Sequence, residues 1–260
     1  MEFLCETALL THGLYSVTQE ELHATWPFPD GFLVWVDKGK IVRGTMEGFL
    51  PFRARSAEVS RIDCETLDCA LRDGVSGALT ASGTMAVCEK LCVPLAVTCG
   101  MGGIGDIRGE ELCPDLMALT CYPVALLATS PKDMLDITET IAWLGNHGVH
   151  VVGPACTGYV FHRSPVEVEL PSSSCQTRGD VRRLTADGGL LMLNPIPSTE
   201  RVKEPSILKA AIAAGKQAEQ SGQYYHPAAN RKIDQLTSGE SSRIQLRSLI
   251  ANLQMASVIV

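Results

Sequence analysis

The sequence predicts an α/β fold: a single domain over residues 1–260, in which a central, mostly parallel sheet is flanked by helices. Three observations support this. Short apolar runs, the length of buried strands, alternate along the chain with segments that carry helix signals. Residues are 45% apolar and 20% charged, as in soluble globular proteins. A chain of 260 residues is also long enough to bury one full core.

The first hundred residues contain three elements with clear local signals. Segment 31–44 reads GFLVWVDKGKIVRG, in which two apolar runs surround a Lys-Gly turn, and this predicts a β-hairpin. We expect Asp63 to be the N-cap of a helix over 64–73 that Gly74 closes. A second helix is predicted over 81–91.

Strands and helices alternate in the rest of the chain. A strand is predicted in 93–100, and another in the apolar run 124–129. Ser130 is a good N-cap and Pro131 suits a first helical position, so we expect a helix from there to about residue 147. The remaining predicted elements are strands at 149–154 and 189–197 and helices at 206–221 and about 242–258. The segment 155–188, rich in Ser, Thr and Arg, carries no clear signal.

Composition and charge exclude several classes of protein. The chain has 22 basic and 29 acidic residues, a net charge of −7, which argues against a surface that neutralises nucleic-acid phosphates. No apolar run reaches the roughly 18 residues that a membrane span needs. The start, MEFLCETALL, has no basic segment of the kind that opens a secretory signal. We therefore expect a cytoplasmic protein that binds neither nucleic acid nor membrane.

The ten cysteines fit this compartment. They form no C-x-x-C pair, and the histidines do not accompany them at zinc-ligand spacing. We expect reduced thiols, most of them buried as small hydrophobic residues.

Lys132 is the first candidate catalytic residue. It follows a predicted strand, at the rim where α/β sheets bind ligands, and stands at the second position of the predicted helix. The positive end of a helix disfavours an ammonium ion and should lower the pKa of the lysine. An unprotonated amine can attack a carbonyl carbon and form a Schiff base. The alternative is a surface lysine in solvent.

A glycine-rich loop and a set of carboxylates provide further candidates. Gly100, Gly102 and Gly105 spell G-x-G-x-x-G after a predicted strand, which fits either a dinucleotide site or a loop that approaches another ligand, such as a phosphate. Glu6 is a candidate general acid at the start of a strand, with a solvated surface residue as the alternative.

The acidic residues after the glycine loop suggest a cation site. Glu110, Glu111 and Asp115 offer the oxygen ligands that Mg²⁺ or Mn²⁺ prefers, although such a cluster also occurs on solvated surfaces.

Several motifs in register resemble the pseudouridine-5′-phosphate glycosidase family, also described as indigoidine synthase A-like. The resemblance covers nearly the whole chain in order and is weakest at 15–57 and 155–188. The matching segments are ETALLTHG with Glu6 and His12, VSRID (59–63), TCGMGGIGDIRG (98–109), PKDMLD (131–136), GGLLMLNPIP (188–197) and TSGESS…ANLQMAS (237–257).

The resemblance implies a reaction and a set of roles. Lys132 matches the family lysine that forms an imine with C1 of an opened ribose 5-phosphate, and Glu6 matches a proton donor that assists ring opening. The family also implies a homotrimer and a divalent metal, usually manganese. The implied substrate-binding positions are Asp115, Arg108, Ala81, Cys113, Glu58, Thr98 and Gln245.

The chain departs from the family pattern on the phosphate and metal side. Glu58 stands where the family has a lysine, and Ile107 replaces a histidine. The segment after the glycine loop is shorter, so Glu111 is the nearest counterpart of the metal-binding aspartate. Cys113 replaces a serine and Gln245 an asparagine.

Two functions follow from this pattern. The first is a C-glycosidase that reversibly cleaves a C–C bond between a ribosyl group and a base, giving the base and ribose 5-phosphate or a related sugar. The second is a non-catalytic relative that binds a sugar or a partner subunit. Lys132, Glu6 and Asp115 favour the first, because a pure binding protein needs neither the amine nor the acid.

Overall fold

The computed structural model describes residues 3–105, 113–153, 156–161, 168, 170, 177–222 and 225–259. Its strands are β1 (Phe3–Cys5), β2 (Leu33–Asp37), β3 (Lys40–Gly44), β4 (Ser60–Ile62), β5 (Gly77–Leu79), β6 (Leu95–Val97), β7 (Gly100–Met101), β8 (Ala125–Ala128), β9 (Ser130–Pro131), β10 (Val149–Val152) and β11 (Gly189–Leu193). Two sheets contain them, and the larger one forms the centre of the molecule.

The central sheet has nine described strands and is mostly parallel. Its order is β10-β11-β8-β6-β1-β2-β5-β4, with β3 paired to β2. The only antiparallel pairings among the described strands are those of β2 with β3 and with β5. Strands β7 and β9 form a separate parallel pair. The α/β fold with a largely parallel sheet is therefore confirmed.

Helices cover the sheet. They are α1 (Gln19–Thr25), α2 (Met46–Arg53), α3 (Leu67–Arg72), α4 (Ala81–Lys90), α5 (Pro114–Cys121), α6 (Ile137–Asn146), α7 (Arg178–Ala186), α8 (Pro205–Gln220), α9 (Tyr225–Leu236) and α10 (Glu240–Ile259). Leu9–Gly13 adds one π-helical turn, and Ser198–Glu200 adds a 3₁₀ turn. Among the described residues, no helix is long and apolar enough to cross a bilayer.

Both faces of the sheet are buried. Side chains alternate along each strand: Phe3 and Cys5 join the core beneath α1, α2 and α7–α10, whereas Leu4 joins the core beneath α3–α6. Burial on both faces explains why these strands are almost continuously apolar in sequence.

Most predicted elements are confirmed. The hairpin at 31–44 forms β2 and β3, the apolar run 124–129 forms β8, and α4 occupies the helix predicted over 81–91. The sequence did not predict helices α1, α2, α5, α7 and α9.

The predicted start of the helix after β8 is wrong. Ser130 and Pro131 form β9 and pair with Gly100 and Met101. Helix α6 begins only at Ile137, where the side chain of its N-cap, Asp136, accepts a hydrogen bond from the Glu139 amide at 2.9 Å. The capping signal of Ser130 is overridden by a pairing with residues distant in sequence, so Lys132 lies in the turn before α6.

The predicted N-cap at Asp63 is also wrong, since α3 begins at Leu67. The Asp63 carboxylate instead accepts hydrogen bonds from the amides of Glu65 and Thr66 and from the Thr66 hydroxyl. These bonds hold a turn ahead of the helix. Gly74, at φ +72°, ends the segment as expected.

The expectation that most cysteines are buried is wrong for the nine that the structure describes. All nine are free thiols, but only Cys5, Cys88 and Cys99 are buried, while Cys69, Cys92 and Cys121 are exposed. The exposed thiols lie on helix α3, just after α4 and at the end of α5, on the sides that face away from the sheet.

Candidate active site

The candidate site lies at the carboxyl ends of the parallel strands. Glu6 follows β1, Thr98 follows β6, and Lys132 follows the short segment β9 that continues from β8. Because β1, β6 and β8 are parallel neighbours, their carboxyl ends meet at one edge of the sheet. The fold thus brings together three residues that are more than thirty positions apart.

The antiparallel strand β5 adds a fourth chain segment to this edge. Strand β2 pairs with β1 only where its first residue, Leu33, lies beside the last residue of β1, Cys5, so β2 extends past the carboxyl end of β1. Strand β5 runs antiparallel to β2, back toward β1. The end of β5 therefore reaches Thr7, whose amide donates to the carbonyl of Leu79 at 3.2 Å. As a result, helix α4 begins beside Glu6, with Ala81 as its first residue.

A small cavity of about 50 Å³ occupies this edge, and we call it the reaction cavity. Five of the residues expected to be functional line it: Glu6, Lys132, Asp115, Ala81 and Gln245. Three further lining residues, Arg61, Tyr159 and Asn230, had not been identified as site residues. Arg61 lies in the VSRID motif, but Tyr159 and Asn230 belong to segments without a motif.

Glu6 is a buried acid with a single strong hydrogen bond. Its residue exposure is 6%, so the solvated alternative is wrong. The predicted place at the start of a strand is wrong as well, because Glu6 follows β1 and the next element is the π-helical turn Leu9–Gly13. The Thr98 hydroxyl donates to Oε1 of Glu6 at 2.6 Å. Burial raises the pKa of Glu6, although the Thr98 hydrogen bond and the positive charges of Lys132 and Arg61 oppose the shift. Glu6 therefore retains its proton to a higher pH than an exposed glutamate does.

Lys132 is half-buried and reaches into the reaction cavity. Its backbone amide donates to the carbonyl of Met101 at 3.3 Å. Within the described ranges, its side-chain amine has no hydrogen-bond or ion-pair partner. Lys132 does not lie at the helix terminus that the sequence predicted for it, because α6 begins only at Ile137. What the structure shows instead is an amine held beside a buried acid.

Asp115 joins three segments of the site. Its Oδ1 accepts a hydrogen bond from the amide of Ser82 at 3.0 Å, and its Oδ2 accepts one from the amide of Gly102 at 2.8 Å. Cys113, which precedes α5, packs its Sγ against the α-carbon of Gly102. Burial, and then the charge of Asp115, raise the pKa of Cys113 to about 12, so this side chain is a neutral thiol. Cys113 does not line the reaction cavity.

The glycines of the loop pack closely against side chains of the protein itself. A Cβ at Gly100 would lie 2.5 Å from the Tyr159 ring, and one at Gly103 would lie 2.6 Å from the Thr140 hydroxyl. Residues 102–105 are not helical, and 106–112 lie outside the described residues. Within the described part of the chain, the loop therefore does not open into the helix that a dinucleotide site requires.

Only some of the residues predicted to contact phosphate or metal lie within the described part of the chain. Arg108, Glu110 and Glu111 lie outside the described residues. Glu58 is exposed in the turn that follows α2, and it does not line the reaction cavity. No three His, Cys, Asp or Glu side chains in the described ranges come close enough to share a metal ion. The described residues therefore do not fit a divalent cation.

Helix α10 fixes the strand ends through buried polar side chains. The amide nitrogen of Asn252 donates to the Thr98 carbonyl at 2.7 Å and to the Thr129 hydroxyl at 3.0 Å. The Tyr159 hydroxyl donates to Oε1 of Gln245 at 2.8 Å. The bonds of Asn252 attach α10 to Thr98 and Thr129, which follow β6 and β8. Thr98 in turn holds Glu6, and Lys132 lies three residues beyond Thr129.

His226, in the first turn of α9, is a further residue that the sequence did not reveal. Its Nδ1 is buried, and it has no hydrogen-bond partner among the described residues. Burial lowers the pKa of His226 to about 3, with the positive charges of Lys132 and Arg61 acting in the same direction. A neutral imidazole therefore lies near the amine of Lys132. The only local signal was Pro227, which is typical of a helix start.

Fold and site together define a class: an α/β protein in which the carboxyl edge of a parallel sheet brings a lysine and a buried carboxylic acid into one cavity. The family model described as "Indigoidine synthase A like protein" matches residues 33–260. The chain belongs to this family, as its motifs predicted.

Similarity to individual proteins supports the assignment to this family. The pseudouridine-5′-phosphate glycosidase of Petrotoga mobilis is 29% identical over 236 residues, which cover 85% of this chain and 76% of that protein. Two crystal structures share the fold. An indigoidine synthase A-like protein from Thermotoga maritima has a TM-score of 0.75 and 21% identity, covering 98% of this chain and 90% of that one. Prealnumycin C-glycosynthase AlnA in complex with ribulose 5-phosphate has a TM-score of 0.73 and 22% identity, covering 99% and 91%.

Proposed function

We propose that this protein is a C-glycosidase of the pseudouridine-5′-phosphate type, which reversibly cleaves the C–C bond between a ribosyl group and a base. The observation that carries the proposal is that one cavity holds both the buried acid Glu6 and the amine of Lys132, which has no partner among the described residues. The names of the similar proteins support the same reaction class, because one acts on pseudouridine-5′-phosphate and another is a C-glycosynthase.

In the first step, the amine of Lys132 attacks C1 of the ribosyl group. The C1–oxygen bond of the ring breaks, and the ring oxygen takes the proton of Glu6. A carboxylic acid whose pKa is raised by burial suits this role, since it still carries a proton near neutral pH. Thr98 acts as a positioning residue, because its hydroxyl holds Oε1 of Glu6.

In the second step, the bond between C1 and the base breaks. The attacking nitrogen first returns one proton to the carboxylate of Glu6, and its lone pair then forms the imine with C1. The bonding electron pair leaves on the carbon of the base, which takes that proton from Glu6. Water hydrolyses the imine and releases the sugar, so that the overall reaction consumes one water. We assign contacts with the sugar to Asp115, Ala81 and Gln245, which line the same cavity.

Two expectations from the resemblance remain predictions. A homotrimer should sediment with the mass of three 27.9-kDa chains. The manganese site depends on Glu111, outside the described residues, so the reaction above has no step at a metal ion.

Borohydride trapping of the imine tests the proposal. The protein is incubated with ribose or ribose 5-phosphate, reduced, and measured by intact mass. We expect a covalent adduct in the parent protein and in the control Lys90→Ala, whose lysine pairs with Asp68 on the surface. Lys132→Ala should form none while keeping its circular dichroism spectrum. If folded parent protein supplied with manganese forms no adduct with either sugar, the non-catalytic alternative is favoured.

A further inference from the structure

The turn that carries Lys132 is held between two neighbouring segments. On one side lies the glycine loop, where β7 pairs with β9 and the carbonyl of Met101 accepts the Lys132 amide at 3.3 Å. On the other side lies the segment 157–161, which carries Tyr159 into the reaction cavity. The side chain of Lys132 makes no hydrogen bond or ion pair with the described residues, so the backbone of the turn determines where the amine lies.

The segment 157–161 is itself firmly attached to the rest of the molecule. The Val160 carbonyl accepts a hydrogen bond from the Val202 amide at 2.8 Å, and Phe161 forms a parallel bridge with Val202. The Phe161 side chain, at 2% exposure, belongs to the core beneath α1, α2 and α7–α10. A segment anchored in this way can hold a neighbouring turn in place.

Asp133, the residue after Lys132, joins the turn to this segment. Its Oδ2 accepts hydrogen bonds from two consecutive amides, those of Val160 at 2.9 Å and Phe161 at 3.1 Å. Asp133 is only 2% exposed, so water does not compete for these donors. Hydrogen bonds from an amide to a carboxylate are stronger than those between neutral groups, and Asp133 therefore makes the principal connection between turn and segment.

Ser130 adds a bond on the other side of the lysine. Its hydroxyl oxygen accepts a hydrogen bond from the amide of Gly158 at 3.2 Å. Ser130 and Asp133 thus hold the chain just before and just after Lys132. Tyr159 lies between the amides that they bind, so the same bonds keep its ring at the reaction cavity.

We propose that Asp133 is a positioning residue, which holds the amine of Lys132 in the orientation from which it attacks the sugar. The proposal rests on the proposed function, since the amine must reach C1. Asp133 does not line the reaction cavity, so it acts through Lys132 and not by touching the substrate. A nucleophile displaced by about 1 Å reacts roughly 100-fold more slowly, and its loss of orientation lowers the rate without weakening the binding of the sugar.

Asp133→Ala tests the proposal, because it removes the acceptor of both amides. We measure the rate of borohydride trapping over a range of ribose 5-phosphate concentrations. The maximal rate should fall about 10- to 100-fold, while the half-saturating concentration stays close to that of the parent. Asp133→Asn keeps an oxygen that can accept both amides, and it should recover most of the rate. The control Asp180→Ala removes a carboxylate that also accepts two hydrogen bonds, in the capping box of α7, and should leave the rate unchanged.

Reductive methylation separates this proposal from the proposed reaction. Formaldehyde and cyanoborohydride methylate accessible lysine amines without any sugar, and peptide mass mapping gives the rate at Lys132, with the exposed Lys90 as the reference. Asp133→Ala should methylate Lys132 faster than the parent does, because the released turn exposes the amine. If the parent forms no imine while this difference is found, the reaction is wrong and the positioning role stands. Sugar trapping at the parent rate in Asp133→Ala, or equal methylation of Lys132 in variant and parent, overturns the proposal.

Discussion

The pKa of Glu6 results from opposing effects that can be assigned to individual groups. Burial raises it, while the hydrogen bond from Thr98 and the charges of Lys132 and Arg61 lower it. The balance is a carboxyl group that is protonated more often than an exposed one, yet can still give up its proton. The Thr98 hydroxyl is the largest of the effects that oppose burial, so it is the group whose removal should change the pKa of Glu6 most directly.

Thr98→Val removes that hydroxyl with little change of shape. A hydrogen bond to the carboxylate stabilises its charged form, so its loss should raise the pKa of Glu6 further. The proton donor then persists to higher pH, and the alkaline fall in the rate of imine formation should move upward. The measurement is the pH profile of that rate, with Thr120→Val, on the exposed end of α5, as the control. A profile that moves to lower pH, or stays in place, would contradict the assignment of Glu6 as the acid.

At the scale of elements, local sequence predicted well those strands and helices whose signals are local. The β2–β3 hairpin and strand β8 follow from apolar runs and turn residues. The start of α6 could not be predicted, because Ser130 pairs with Gly100 across the sheet edge and its capping signal is not used. Helix α9 was missed because it is polar overall, although Ala229 and Ile233, one turn apart and both buried, marked its inner face.

Helix α10 should contribute to stability and to activity through one residue. Asn252→Leu keeps a similar volume but removes the donor to the Thr98 carbonyl and the Thr129 hydroxyl. We expect the free energy of unfolding to fall by about 2–3 kcal/mol. The rate of imine formation should fall as well, since Thr98 positions Glu6.

Urea unfolding measures the stability effect of Asn252→Leu. The control is Gln254→Leu, on the exposed face of the same helix, which should change the free energy of unfolding by less than about 0.5 kcal/mol. The role assigned to Asn252 is wrong if the two variants unfold at the same urea concentration.

At the scale of the whole molecule, the sequence predicted the fold and singled out Lys132 and Glu6, which the fold brings to one cavity, but it did not predict the shape of that cavity. Lys132 and Glu6 were recognisable because each belongs to a motif. The contact between Thr7, which follows β1, and the end of β5 could not be recognised in this way. It depends on the single pairing of Leu33 with Cys5 and on the antiparallel direction of β5. The cavity of about 540 Å³ lined by Arg53, Arg61 and Arg231 was missed for the same reason, because these arginines come from separate segments that only the folded chain brings together.

The distribution of thiols gives a test of the packing of the whole molecule. Native protein treated briefly with iodoacetamide should react first at the exposed cysteines, because burial keeps the others inaccessible and raises the pKa of Cys99 to about 11. Peptide mass mapping should therefore find early modification at Cys69, Cys92 and Cys121, and late modification at Cys5, Cys88 and Cys99. Equal rates for the two groups would show that the sheet is not covered on both faces as described.

The reaction cavity is built by the innermost part of the chain. Glu6 and Lys132 are held by strand ends of a sheet that is buried on both faces, whereas Tyr15 and Arg231 belong to a turn and a helix outside it. Substitutions in the outer layer can therefore leave the amine in place relative to the acid. A lineage with this arrangement can vary its periphery while inheriting its centre intact.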